Sequence, residues 1–163
     1  MADIVSERYA QSLYEVAKDE KQEKEYLEEL TAVCGAFREN PDFLKLLTTP
    51  SIAFEDKQNV LKTVFEGKIR PFVLNFLMLT TEKGRIGLIH EMREAYKEQY
   101  YFENNIAEVC AVTAVPMSDA LRDRLKNKMQ AVTGRQVVLE TSVDPEIIGG
   151  IVVKVNNEQF DTS

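Results

Sequence analysis

Residues 72–81 read FVLNFLMLTT, a stretch of helical length with apolar side chains on nearly every side. A helix with no polar face has to be covered by its neighbours, so it belongs at the centre of a bundle rather than on a surface. A chain that contains such a segment must supply the covering helices.

The residues on either side do so. In DIVSERYAQSLYEVAKDE, Val5, Tyr9, Leu13 and Val16 recur at helical spacing, and Ala10, Tyr14 and Ala17 widen the stripe. QEKEYLEELTAVCGAFREN gives a second helix with Tyr26, Leu30, Val33 and Phe37 on its apolar face. Asn40-Pro41 ends that helix and starts a short third one, which carries Phe43, Leu44, Leu46 and Leu47 before Thr49-Pro50 breaks it. A fourth helix is expected over residues 54–65. The fully apolar fifth spans about 69–83, with Gly84 as its C-terminal cap. A sixth passes through Ile89, Met92, Tyr96 and Tyr100 to Asn104-Asn105.

After Asn105 the apolar period shortens. IAEVCAVTAV reads as a strand, and Ser118 caps a helix bearing Leu121, Leu125, Met129 and Val132 on one face, ended by Gly134. QVVLETSV and IIGGIVVKV follow as strands, with Asn156-Asn157 as a tight turn into EQF. The expected architecture is mainly α: an N-terminal six-helix bundle over residues 1–104, then a small α+β module of β-α-β-β order over 105–163. A module of that size is marginally stable by itself.

In VDPEIIGGIVVKV, Asp144-Pro145 forms a turn, and Gly149-Gly150 interrupts a β-branched run that should otherwise form a strand. Glycine there costs backbone entropy, so the pair marks a bulge or a close backbone approach where the third strand enters the sheet.

Residues suited to chemistry are few. The formal net charge of −7 excludes a nucleic-acid binder of the usual basic kind and simple adsorption to anionic lipid. No apolar stretch approaches the roughly 20 residues of a membrane-spanning helix. The N-terminus MADIVSERYAQ lacks the features of a signal peptide or presequence, which points to a cytoplasmic chain. Cys34, Cys110 and the lone His90 do not make a metal site, and no phosphate loop is present. EKGRIG joins two helices, with Arg85 expected to hold carbonyls or a carboxylate. No catalytic residue, cofactor site or metal site is assigned. Two alternatives remain open on the residues alone: a free-standing helical adaptor that receives an amphipathic helix in a bundle groove, and a small enzyme using His90 with Cys34 or Cys110.

The chain resembles the delta subunit of bacterial F-type ATP synthase, the counterpart of the mitochondrial oligomycin-sensitivity-conferring protein. Arg8-Tyr9-Ala10, LTTEKGRIGLI and above all VDPEIIGGIVVKV carry the resemblance. Asp144, Pro145, Ile147, Ile148, Gly149 and Gly150 match the family's Asp-Pro turn, apolar pair and Gly-Gly. Phe160-Asp161-Thr162-Ser163 is similar to its Asp-Gly-Ser segment, with Thr162 where glycine is usual. The family continues with a short helix, so the C-terminal module is expected to be cut short at Ser163.

The resemblance implies a non-catalytic stator connector, peripheral on the cytoplasmic face of the bacterial cell membrane. Its bundle would accept the N-terminal helix of an alpha subunit between helices one and five, and its C-terminal module would grip the peripheral-stalk b subunits. It implies no nucleic-acid partner and no direct insertion into the membrane. Carried onto this sequence, the groove involves Ala10, Leu13 and Tyr14 on helix one and Leu74, Met78 and Leu79 on helix five. For helix five, burial on all sides favours a core role; for Ala10 and Tyr14, groove and core stand level.

Overall fold

Asp3 caps the first helix by accepting the Ser6 N–H on its carboxylate at 2.7 Å, and α1 (Ile4–Asp19) follows. The computed structural model describes residues 3–155 and the backbone of residues 158–162. The chain is mainly helical with a small sheet at its C-terminal end, and it divides into two compact units, Met1–Tyr100 and Tyr101–Ser163.

In the first unit α1 is followed by α2 (Glu23–Glu39), α3 (Pro41–Thr48), α4 (Phe54–Phe65), α5 (Pro71–Glu82) and α6 (Ile89–Glu103). The boundaries follow local chemistry. Pro41 and Pro71 occupy first-turn positions, where their missing N–H costs nothing. After α5, Gly84 takes a left-handed φ of 71°, and the Gly84 and Arg85 N–H groups donate to Thr81 and Thr80 at 3.0 and 2.7 Å. This is a Schellman end. The turn after α1 has the same bonds, but the left-handed residue is Lys21 at φ 58°.

The fifth helix begins at Pro71, two residues later than its apolar run suggests. Ile69 instead bridges to Glu66, and Arg70 is extended, as a residue before proline prefers to be. Arg70 is held from several directions. Its backbone N–H and guanidinium both reach Glu29, its Nε donates to Gln22 Oε1 at 2.7 Å, and its cation lies 5.5 Å from the centroid of the Tyr26 ring.

All six helices contribute to one apolar cluster. Tyr14 meets Tyr96 edge-on at 5.2 Å, and the Tyr96 hydroxyl donates to the Glu23 carbonyl at 2.7 Å. Phe37, Phe43 and Phe65 form a second aromatic centre with centroids 4.9–6.1 Å apart.

The second unit runs β1 (Ile106–Thr113), α7 (Asp119–Thr133), β2 (Gln136–Val143), β3 (Ile151–Val155) and β4 (Glu158–Thr162), in sheet order β2-β1-β3-β4. β1 and β2 are parallel, from Ile106 opposite Gln136 to Thr113 opposite Val143, and α7 makes the crossover that parallel pairing demands. β3 is antiparallel to β1, and β4 to β3, so a fourth strand joins the three expected from the sequence. The expected Asn156-Asn157 turn lies outside the described residues.

The core of this unit is small: Ala107, Val109, Met129, Val137, Val153 and Val155, flanked by Leu125, Leu139 and Ile151. Here the four-residue apolar face expected of α7 is corrected. Only Met129 is buried, while Leu121 and Val132 are exposed. They stand roughly 60–80° round the axis from Met129, beyond the side of the helix that rests on the sheet.

Candidate functional site

The six residues carried over to a groove between helices one and five do not form one surface. Ala10, Leu13 and Tyr14 are 2%, 3% and 1% exposed, at the middle of the buried side of α1 with Ser6 and Ala17. Leu74 and Met78 are buried in the same cluster, and only Leu79 reaches solvent. The small side chains of Ala10 and Ala17 let α1 settle on the face that Tyr14 defines. The residues that look like the main stripe in the sequence, Val5, Tyr9 and Val16, lie within about 40° of one another round the axis and are half-buried along its flank.

That flank meets α5. The Tyr9 ring packs edge-on against Phe76 with centroids 6.3 Å apart. Arg85 lies over the same ring: its guanidinium carbon is 5.5 Å from the centroid of Tyr9, and its Nη1 donates to the Tyr9 hydroxyl at 3.2 Å. Arg85 was expected to hold carbonyls or a carboxylate; it holds a tyrosine instead, because the Schellman end of α5 turns it that way. The expectation that α5 is covered all round is corrected too. Phe72 and Leu79 are 48% and 46% exposed and, with Asn75 and Glu82, make a solvent-facing stripe one side of Phe76. The structure therefore offers an apolar seam of Tyr9, Phe72, Phe76 and Leu79. Of these, Leu79 alone was among the groove residues carried over from the resemblance; Tyr9 stood in the periodic stripe of α1 without being assigned to a groove, and Phe72 and Phe76 were not singled out. Within Arg8-Tyr9-Ala10, Arg8 is exposed, Tyr9 half-buried and Ala10 buried.

The Asp144-Pro145 segment is a compact turn. Asp144 Oδ1 accepts the Glu146 N–H at 3.0 Å, and the Asp144 carbonyl accepts the Ile147 N–H at 3.1 Å. Gly149 and Gly150 lie in the loop before β3 rather than at a bulge inside the strand, and both take positive φ, 56° and 125°, a conformation that residues with a Cβ avoid. A Cβ at Gly149 would meet nothing within 4 Å, so the demand there is on the backbone conformation rather than on clearance under a helix.

Among the described residues, titratable side chains do not assemble into a reactive centre. Burial pushes the Cys34 thiol up to about 11, the reverse of what an attacking thiolate needs, and its Sγ points at the Ile89 carbonyl 3.8 Å away. His90 is held below its ordinary value, by burial first and then by the Arg38 cation. Among the described residues no group of three or more His, Cys, Asp or Glu is placed to hold a metal, and no helix is long and apolar enough to cross a membrane.

A family model described as the ATP synthase delta (OSCP) subunit matches residues 5–163. The chain is 32% identical over 161 residues to the ATP synthase subunit delta of Clostridium kluyveri, covering 99% of this chain and 89% of that protein. It is 36% identical over 165 residues to that of Solidesulfovibrio magneticus, with 99% and 90% covered. For Synechocystis the identity is 36% over 166 residues, with 98% and 86% covered. A chain in the structure of the Toxoplasma gondii mitochondrial ATP synthase hexamer has a similar fold, with a TM-score of 0.73 at 21% identity over 91% of this chain and 84% of that one.

Proposed function

The chain belongs to the ATP synthase delta (OSCP) subunit family, and we propose that it joins the catalytic head to the peripheral stalk through two different surfaces. It is a non-catalytic stator connector of an F-type ATP synthase: it resists rotor torque so that ion translocation drives ATP synthesis. Residues 1–104 form the six-helix bundle that sits on the head and accepts the N-terminal helix of an alpha subunit. Residues 105–163 grip the peripheral-stalk b subunits. The complex holds the chain at the cytoplasmic face of the cell membrane, as a peripheral component.

The observation that carries the head-binding half is the bare apolar stripe of α5 beside the Tyr9–Phe76 contact. An isolated surface stripe of large apolar groups is poorly used in a free chain, whereas an amphipathic helix laid along it would cover Phe72 and Leu79 and complete the arc round α5. Arg85, over Tyr9, fixes the floor of that seam and leaves a cation at its edge. The groove residues are thus Tyr9, Phe72, Phe76 and Leu79, with Ala10, Leu13, Tyr14, Leu74 and Met78 acting from beneath as the packing that holds them in place.

Titrating a peptide of the cognate alpha-subunit N-terminus into the full chain, at low and high salt, tests this. Binding driven by apolar burial changes little with salt. Absence of binding would leave the free-standing helical adaptor as the better account of this surface.

A further inference from the structure

Helix α7 leaves more apolar surface in water than its unit's core requires. Leu121 is 40% exposed and Val132 70%, and with the half-buried Leu125 they fall within about 40° of one another round the axis. Beside this stripe a groove of about 430 Å³ opens between α7 and β3, lined by Leu121, Arg124, Leu125, Asn127, Lys128 and Ile151. Among the described residues its lining holds two cations and no carboxylate. Arg124 and Lys128 are exposed, one helical turn apart, and among the described residues no ion pair engages either. In a chain of net charge −7, five of the six cations after Asn105 fall at Arg122, Arg124, Lys126, Lys128 and Arg135.

On the reading that the second unit grips the peripheral stalk, we propose that this groove is the docking face for an acidic amphipathic helix of the partner. Its apolar residues cover Leu121, Leu125 and Ile151, and carboxylates one turn apart on its flank pair with Arg124 and Lys128. The apolar floor by itself would take any amphipathic helix; the two cations select its charge and set its register. Their methylene stems extend the apolar wall while the charged heads stay in water. Anionic lipid carries the same charge, but a bilayer is flat. These groups line a concavity between a helix and a strand, and the opposite side of α7 carries Asp119 and Asp123 among its cations.

The test titrates the soluble domain of the cognate peripheral-stalk b subunits into the full chain by calorimetry at low and high salt. The parent binds, more weakly at high salt. Arg124→Glu with Lys128→Glu weakens binding by about tenfold or more at low salt and flattens the salt dependence, since rim charges act mainly through these quantities. Arg122→Glu with Lys126→Glu makes the same change of charge on the other side of α7 and leaves the affinity within about threefold, as expected where no partner charge faces it. The milder pair Arg124→Gln with Lys128→Gln, which keeps helix-forming side chains, weakens binding in the same direction. Unchanged affinity in the Glu and Gln pairs at positions 124 and 128, with the parent still binding, overturns the choice of this groove alone. Equal weakening by both charge-reversal pairs overturns it as well, because the effect is then one of net charge. Failure of the parent to bind overturns the stalk-gripping role itself. Binding of the parent to phosphatidylcholine–phosphatidylglycerol vesicles that is lost in Arg124→Glu/Lys128→Glu, with stalk binding retained, reassigns the groove to lipid.

Discussion

Replacing Phe72 and Leu79 together by alanine removes the two large apolar side chains that α5 leaves in water, 48% and 46% exposed. A phenylalanine side chain offers on the order of 200 Å², so covering the exposed half of Phe72 takes roughly 100 Å² out of water, or about 2.5 kcal/mol. Leucine contributes about 2 kcal/mol on full burial, hence about 1 kcal/mol for the part of Leu79 still open. Allowing for what alanine retains, the double variant should lose about 3 kcal/mol of binding to the alpha-subunit N-terminal peptide, roughly a hundredfold in Kd. Its helical unit should stay folded, at a cost of about 1–3 kcal/mol for the half of each side chain that is already packed. Fluorescence anisotropy with a labelled peptide gives the Kd, and thermal melts give the stability. Ala10→Asp is the contrasting change. Ala10 is buried in the cluster, so an unpaired carboxylate there should destabilise the helical unit by about 3 kcal/mol or more, and binding would fail through unfolding. A double variant that binds within a few-fold of the parent would refute the use of this seam.

Gly150→Val places a β-branched residue at φ 125° and should cost on the order of 1–3 kcal/mol in the second unit, seen as faster amide exchange in β1 and β3 while α2 and α5 keep their protection. Lys21→Gly relieves a left-handed lysine at φ 58°; the relief slightly exceeds glycine's entropy cost, for a net gain of about 0.5 kcal/mol and a higher melting temperature. For Cys34 the folded value of about 11 lies above the ordinary 9.0. The unfolded chain therefore gives up the thiol proton first, and stability falls as pH rises from about 9 to about 11 by on the order of 2–3 kcal/mol. Denaturant melts across that range should show the loss, and Cys34→Ala should reduce it.

The helices, their ends and the change of period at Asn105 were legible because each depends on groups within a few residues. Proline at the start of α3, Ser118 as a cap, and Gly84 and Gly134 as left-handed stops act through the local backbone. The family pattern round Gly149-Gly150 was legible for the same reason, although the sequence suggested a bulge where the chain has a loop. What tertiary structure alone decided is which part of each apolar arc faces the core. On α1 the arc from Val5 round to Tyr14 is wider than any one contact, and the packing of Tyr14 on Tyr96 placed Ala10 and Leu13 inside and left Tyr9 on the flank. On α5 and α7 the apolar residues outnumber the neighbours available to cover them, so Phe72, Leu79, Leu121 and Val132 remain in water. Tyr9 meets Phe76 and Arg85 across long stretches of chain. Periodicity fixes only the angle of a side chain about its own helix; whether that angle points at protein or at water depends on where distant segments come to rest.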